Sequence, residues 1–308
     1  MKKCLGCGAI LQDTDSEAPG YTPKIGEDLC MRCFKLKHYG VLTNDGKTQD
    51  NMILLKKINK KKGFVIFLID FLNIYEDIIN IYKKITLPKI LVITKSDLIP
   101  KNIKKHKLLK NIKDIYEINE DIILTSAKTK ENIHLLENIC LTEKNVIFTG
   151  FTNAGKSSII NTLIGSNITV SKCVNTTQEF IEKKVDGVII TDAPGFISNN
   201  YIDNVPKNIV KPLSYQLASK YYLKIANIDI ASEISNNLTL YLDNAINVAK
   251  RKIKEELNYD IIVPSNYDLV IKGLGFIRFS HATKVYINID SKFYEIRPTI
   301  IGGNYEQD

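Results

Sequence analysis

The chain is 308 residues long, 44% apolar and 25% charged. That balance argues against disorder and leaves room for two or three domains at roughly 100 to 200 residues each. Lysine and arginine number 42 against 34 aspartates and glutamates, a formal charge of +8. Such a surplus suits an anionic partner, although a lysine-, asparagine- and isoleucine-rich composition produces it too. The strongest apolar run, residues 64–69, is far shorter than the roughly 20 residues of a membrane-spanning helix, so no membrane partner is expected.

Two C-x2-C pairs come first, Cys4 with Cys7 and Cys30 with Cys33, with 22 residues between them. Each pair presents two thiolates on a tight turn, and four thiolates close a tetrahedral zinc site with no position left for catalysis. Residues 1–48 are therefore expected to form a zinc-finger domain holding a structural Zn2+ on Cys4, Cys7, Cys30 and Cys33. The first pair begins at the fourth residue, leaving no place before it for the roughly 7 to 15 apolar residues of a signal peptide. A cytoplasmic location is expected, where paired cysteines are metal ligands before they are disulfides. Cys140 and Cys173 have no such spacing and read as small buried residues.

Residues 49–210 alternate apolar runs with polar, helix-period segments, the pattern of a parallel sheet covered on both faces. Strands are expected at 63–70, 89–94, 121–125, 145–149 and 187–191, and helices at 76–85, 102–116, 130–140 and 156–164. The short LTEK segment after the third helix is expected to be a connection. In 211–308 the period changes. Strand-like alternation recurs around 222–230, 238–242, 269–279 and 285–289. Residues 243–257 carry Ile246, Ala249, Ile253 and Leu257 at helical spacing opposite Lys250, Arg251, Lys252 and Lys254. A separate α+β domain is expected there.

Within NVIFTGFTNAGKSSIINTL, Gly150-x4-Gly155-Lys156-Ser157 stands where an apolar strand gives way to a helix, the setting of a phosphate loop. Gly150, Asn153, Ala154, Gly155, Lys156, Ser157 and Ser158 are its candidate binding residues. Glycines let backbone N–H groups turn toward a β-phosphate at the positive end of the following helix. Lys156 reaches the β and γ oxygens, and Ser157 can ligate Mg2+. VIITDAPGF places Asp192, 42 residues after Gly150, as a water-mediated Mg2+ partner, and the Gly195 N–H can sense a γ-phosphate. NTTQE between them offers Thr176 and Thr177 to close the Mg2+ shell, and Thr177 is preferred.

A second pair of signals stands earlier in the chain. LVITKSDLIP ends an apolar strand in Thr94-Lys95-Ser96-Asp97. The Asp97 carboxylate can accept both the N1 and N2 protons of guanine, a pairing adenine cannot offer, and the stem of Lys95 can lie along the nucleotide. LTSAKT then puts Ser126, Ala127 and Lys128 at another strand end, where a backbone N–H can reach guanine O6. Base reader, second base loop, phosphate loop, switch one and switch two, in that order, describe a circular permutation. Such a rearrangement is sterically cheap, because the termini of compact domains often lie close together.

This order, with CLGCG and CMRCFKLKHYG near the N-terminus and DLVIKGLGFIRF near the C-terminus, closely resembles the YqeH family of circularly permuted GTPases over nearly the whole chain. The resemblance implies an α/β fold: a phosphate-loop GTPase sheet in permuted order (49–210) between an N-terminal zinc finger and a C-terminal α+β domain. It implies a slow GTPase acting as a cytosolic switch in assembly of the small (30S) ribosomal subunit, with 16S rRNA or a ribosomal protein as partner. A monomer is expected. Two positions depart from the family. Thr94 stands where most members have Asn, removing an amide that braces the phosphate loop, and Val174-Asn175 replaces Pro-Gly before the paired threonines.

Phe196 follows Gly195 where Ras-like enzymes place a water-orienting glutamine, so intrinsic hydrolysis at or below roughly 10⁻⁴ to 10⁻³ s⁻¹ is expected. In GTPases resembling this one an asparagine at Asn153 helps hold K+; otherwise Asn153 simply caps the loop. Lys156, Asn153 and Gly195 are the expected catalytic set, stimulated by K+ or by the ribosome. Switch two leads on into the C-terminal domain, so nucleotide state is expected to couple to that domain. The alternative is a nucleic-acid-binding or RNA-modification accessory protein using GTP, but no nucleophile–base constellation stands outside these motifs.

Overall fold

The computed structural model describes residues 10–16, 20–23, 26–31, 51–165, 180–197, 202 and 210–302. The chain divides into two compact units. Met1–Asp70, Asn80–Ser96 and Glu120–Asp203 form the first; Phe71–Ile79, Asp97–Asn119 and Asn204–Asp308 form the second.

In chain order the elements begin α1 (Asn51–Asn59), β1 (Phe64–Asp70), α2 (Glu76–Lys83), β2 (Lys89–Thr94), α3 (Lys105–Tyr116), β3 (Ile122–Leu124), α4 (Ile133–Glu143), β4 (Asn145–Gly150), α5 (Lys156–Ile164), β5 (Ile181–Val185) and β6 (Val188–Asp192). The six strands form one sheet in the order β3-β2-β1-β4-β6-β5. Every neighbouring pair is parallel except β5 with β6. Parallel strands covered on both faces read as unbroken apolar runs, and β1, FVIFLID, is buried along nearly its whole length. Ile66, Leu68, Val92, Val146, Phe148 and Ile190 pack in one cluster with Ile133, Leu136 and Cys140 of α4 and Ile159 and Ile160 of α5.

The strands and helices expected from periodicity over residues 49–210 lie within three residues of those observed. LTEK is an exception. The helix α4 runs on through Glu143, and Lys144 alone makes the turn, with φ +59° and its N–H bonded to Cys140 O at 3.0 Å. Two elements carry too weak a signal to have been expected: the nine-residue α1 and the edge strand β5, whose IEKKV sequence is mostly exposed.

The second unit carries β7 (Leu213–Leu217), β8 (Tyr221–Ile225), β9 (Ile228–Ser232), β10 (Asn236–Leu242), β11 (Val248–Lys252), β12 (Ile261–Val263), β13 (Tyr267–Ile271), β14 (Gly275–Phe279), β15 (Thr283–Ile287) and β16 (Tyr294–Pro298). They form two five-stranded sheets, β16-β13-β14-β10-β7 and β11-β8-β9-β15-β12, antiparallel throughout. Alternate residues such as Leu223, Ile225, Leu238, Leu240, Leu269, Ile277 and Val285 supply the core.

The α+β expectation for 211–308 is therefore corrected. Among the described residues of that stretch, the regular elements are strands and one 3-10 turn. The helix expected over 243–257 is a turn followed by β11. Asp243 ends the preceding strand by accepting the Ala245 N–H on its side chain at 3.0 Å, a local turn that competes with helix. Val248–Lys252 then pair residue by residue with β8. The stripe Ile246, Ala249, Ile253 and Leu257 offered little apolar area to a helix, and long-range pairing prevailed over it.

Segments 71–79 and 97–119 are built into this second unit. Asn73 Oδ1 accepts the Gly273 N–H at 2.9 Å, both Glu295 oxygens accept the Glu76 N–H at 3.0 Å, and Lys272 Nζ meets Asp77 Oδ2 at 2.5 Å. Asn111 donates to Ile300 O at 3.1 Å.

Candidate functional site

The candidate phosphate loop follows β4, whose parallel neighbours are β1 and β6. Gly150 has φ +148°, and a Cβ there would lie 2.1 Å from Leu68 O, so the close approach of β1 to the loop requires glycine. The same carbonyl accepts the Phe151 N–H at 3.2 Å. Asn153 and Gly155 take positive φ of 66° and 81°, and Gly155 starts α5. Ala154 and Lys156 are buried, whereas Ser157 and Ser158 are exposed on the first turn.

Asp192 ends β6, and its carboxylate pairs with Lys156 Nζ. The ammonium expected to meet phosphate oxygens thus lies against the carboxylate expected to face Mg2+. Of the residues expected to organise that ion, Ser157 and Asp192 are among the described residues. Thr176, Thr177 and the Val174-Asn175 departure lie outside the described residues. So do Cys4, Cys7 and Cys33, while Cys30 is buried. Among the described residues no group of three or more His, Cys, Asp or Glu is placed to hold a metal.

Gly195 abuts the phosphate loop: a Cβ there would come 3.3 Å from Thr152 N. Phe196 pairs with Phe151 in a parallel bridge. Its N–H donates to Gly150 O at 2.8 Å and its carbonyl accepts the Thr152 N–H at 2.9 Å. The ring is fully buried, with centroids 5.8 Å from Phe67 and 6.0 Å from Phe151. Phe196 therefore anchors the segment after Gly195 in the core, which a glutamine could not do at acceptable desolvation cost.

Thr94 ends β2 beside Asp70 of β1. Its hydroxyl lies 2.5 Å from Ala154 O, in the phosphate loop, and 3.1 Å from Ile69 O. Thr94 lacks the amide expected to brace that loop, and its hydroxyl bonds to the loop backbone instead, because β1 and β2 bring it within reach. Lys95 follows with φ +56° and pairs with Asp70 Oδ2 at 3.3 Å. Asp97 sits in the 3-10 turn Ser96–Leu98.

The second candidate base loop is tied to the first through Glu131, which no sequence motif had marked. Ser96 Oγ donates to Glu131 Oε2 at 2.6 Å, and Thr125 Oγ1 donates to Glu131 O at 2.8 Å. Ser96 N–H also donates to Thr125 O at 3.0 Å. Ser126 is fully buried and accepts the Thr129 N–H at 3.2 Å, a turn that leaves Lys128 exposed.

Two family models match the chain: one described as a 50S ribosome-binding GTPase over residues 145–262, and one described as RsgA GTPase over residues 71–201. Uncharacterized protein YqeH of Bacillus subtilis (strain 168) is 28% identical over 286 residues, spanning 82% of this chain and 78% of the relative. NO-associated protein 1, chloroplastic/mitochondrial, of Arabidopsis thaliana is 26% identical over 193 residues, 52% of this chain and 34% of the relative. Probable GTP-binding protein EngB of Rickettsia africae (strain ESF-5) is 35% identical over 105 residues, 33% of this chain and 48% of the relative. The two models together cover the candidate phosphate loop, both candidate base loops and the Asp192–Gly195 turn, so the chain is a GTPase related to RsgA, YqeH and EngB.

Proposed function

We propose that this GTPase is a circularly permuted molecular switch that acts in assembly of the small ribosomal subunit. Asp97 reads guanine, the Gly150–Ser158 loop holds the phosphates, and Ser157, Thr177 and Asp192 organise Mg2+. The observation that carries the reading is the sheet. β2, which delivers the base loop, precedes β4, which delivers the phosphate loop, yet the two flank β1 and are braced to each other by Thr94 and Ala154. The match to the RsgA model over 71–201 supports the permuted order, since it spans base loop before phosphate loop. With α4 running to Glu143, the junction between old end and old beginning is a one-residue turn.

Lys156 exchanges Asp192 for phosphate oxygens when GTP binds, leaving Asp192 to orient the water shell of Mg2+. Ser157, Thr177 and Asp192 would hold Mg2+, which would supply neutralisation of the phosphate charge that grows in the transition state. The buried Phe196 supplies no water-orienting group, so the missing charge would come from a cation held by Asn153 or from a group of the ribosome. The N-terminal knuckles carry structural zinc on Cys4, Cys7, Cys30 and Cys33. The location is cytoplasmic and the partner is 16S rRNA or a small-subunit protein.

Coupling to the C-terminal strands has support in the chain leaving the base loops. Val210 N–H donates to Leu98 O, one residue past Asp97, at 2.9 Å. The segment after Asp70 is held through Asn73, Glu76 and Asp77 by Gly273, Glu295 and Lys272. The proposed output is therefore sensed at the base loop as well as at switch two. One family description names the 50S particle, whereas the resemblance in the sequence favours the 30S. Co-sedimentation with separated 30S and 50S subunits, in GDP and in a non-hydrolysable GTP analogue, tests this. Nucleotide-dependent binding to 30S is expected; binding to 50S alone, or to neither, overturns the assignment.

A further inference from the structure

The adjacent ends of β1 and β2 hold two features that packing alone does not favour. Asp70 closes an otherwise apolar strand and is 4% exposed, and a carboxylate taken out of water is costly unless paired. Lys95 adopts a left-handed backbone, which is uncommon for a residue with a side chain and is retained where the surroundings enforce it. The two meet as an ion pair, Lys95 Nζ to Asp70 Oδ2, at 3.3 Å.

Three interactions converge on these last residues of β1. Leu68 O accepts from Phe151 in the phosphate loop, Ile69 O lies within reach of the Thr94 hydroxyl, and Asp70 takes the Lys95 ammonium. We infer that Asp70 is a positioning residue for guanine-nucleotide binding: it anchors the far end of Lys95 so that the lysine stem is already laid out for the nucleoside. An unanchored lysine carries several rotatable bonds and loses that freedom on binding. Holding it in the free protein removes that cost from the binding step. Asp70 touches no nucleotide in this role and acts only through Lys95. The inference rests on Thr94–Asp97 being the base loop.

The test compares Asp70→Asn, Lys95→Met and the double variant in the full-length protein, measuring affinity and release of GDP and, separately, affinity for magnesium pyrophosphate, which has no base or sugar. Asp70→Asn is expected to weaken GDP about tenfold, chiefly by faster release, and to leave pyrophosphate binding within about twofold. Adding Asp70→Asn to Lys95→Met should cost nothing further, because the pair acts as one unit. Unchanged or tighter GDP binding by Asp70→Asn overturns the inference, as does an equal loss for GDP and pyrophosphate, the mark of a general structural role. Should Asp70→Asn fold poorly, Lys95→Met probes the same pair from its less buried side, and GDP binding unaffected by it is equally fatal. Asp97→Asn is the control. If it also leaves GDP affinity untouched, the base-loop reading has failed; if it weakens GDP while Asp70→Asn does not, only the positioning role is lost.

Discussion

Thr94→Val tests the brace between the base loop and the phosphate loop. Valine keeps the shape and β-branching of threonine at the end of β2 and removes only the hydroxyl that lies 2.5 Å from Ala154 O. Thr94 is buried, so water cannot readily take its place. A net hydrogen bond is worth about 0.5 to 1.5 kcal/mol, a factor of roughly 2 to 13 in an equilibrium constant. That loss divides between two measurements. The part that weakens the fold lowers the unfolding free energy in a urea titration, and the part that frees the phosphate loop weakens GDP in a fluorescence titration. The two losses together should reach about 1 kcal/mol. Thr94→Ser keeps the hydroxyl and should lose less, while Thr94→Asn should retain GDP affinity through its amide donor. If Thr94→Val matches the unaltered protein within about 0.3 kcal/mol in both titrations, the brace contributes nothing and its geometry has been over-read.

Potassium should raise GTP hydrolysis several-fold over sodium at equal ionic strength, and Asn153→Ala should abolish the difference with little effect on GDP affinity, because a cation at the β–γ bridge meets charge that grows mainly in the transition state; equal rates in both salts, with and without 30S particles, would sink the idea. Freshly purified protein should carry one tightly bound zinc by metal analysis, lost in Cys4→Ser and Cys33→Ser variants that still bind GDP, since structural zinc supplies folding energy to a piece too small for its own core. Burial pushes Glu295 up to about 7 from 4.5, outweighing the Glu76 N–H and the nearby Arg297 and Lys272. The folded state therefore keeps a proton that the unfolded chain releases above pH 4.5. Stability from this group is full below about pH 4.5 and lost as pH rises through 7. Thermal melts of Glu295→Gln should lack that component of the slope, and an unchanged slope would exclude Glu295 as its source.

The nucleotide-binding half was legible because its signals are local. A buried parallel strand is a continuous apolar run, and each loop of interest sits at a strand's C-terminal end, so TKSD, SAK, GFTNAGKS and DAPG could be placed by reading strands. Glu131 and Asp70 escaped because their contacts are made only across strands. Nothing beside Glu131 in the chain reveals that Ser96 lies 2.6 Å away. Asp70 did leave a trace, a lone carboxylate ending the run FVIFLI, which alone does not say what neutralises it. The misread segment 243–257 shows the converse: its helical spacing was real, but few apolar residues backed it, and β8 offered five paired positions.

The central claim, that the loop after β2 reads guanine for a phosphate loop lying later in the chain, is tested most directly by kcat/KM for GTP and XTP in the unaltered protein and in Asp97→Asn. Hydrogen bonds to a charged acceptor are worth about 1.5 to 3 kcal/mol each, so the substitution should weaken GTP by at least ~100-fold and reverse the preference toward XTP. An Asp97→Asn protein that still prefers GTP as strongly as the unaltered one would contradict the account.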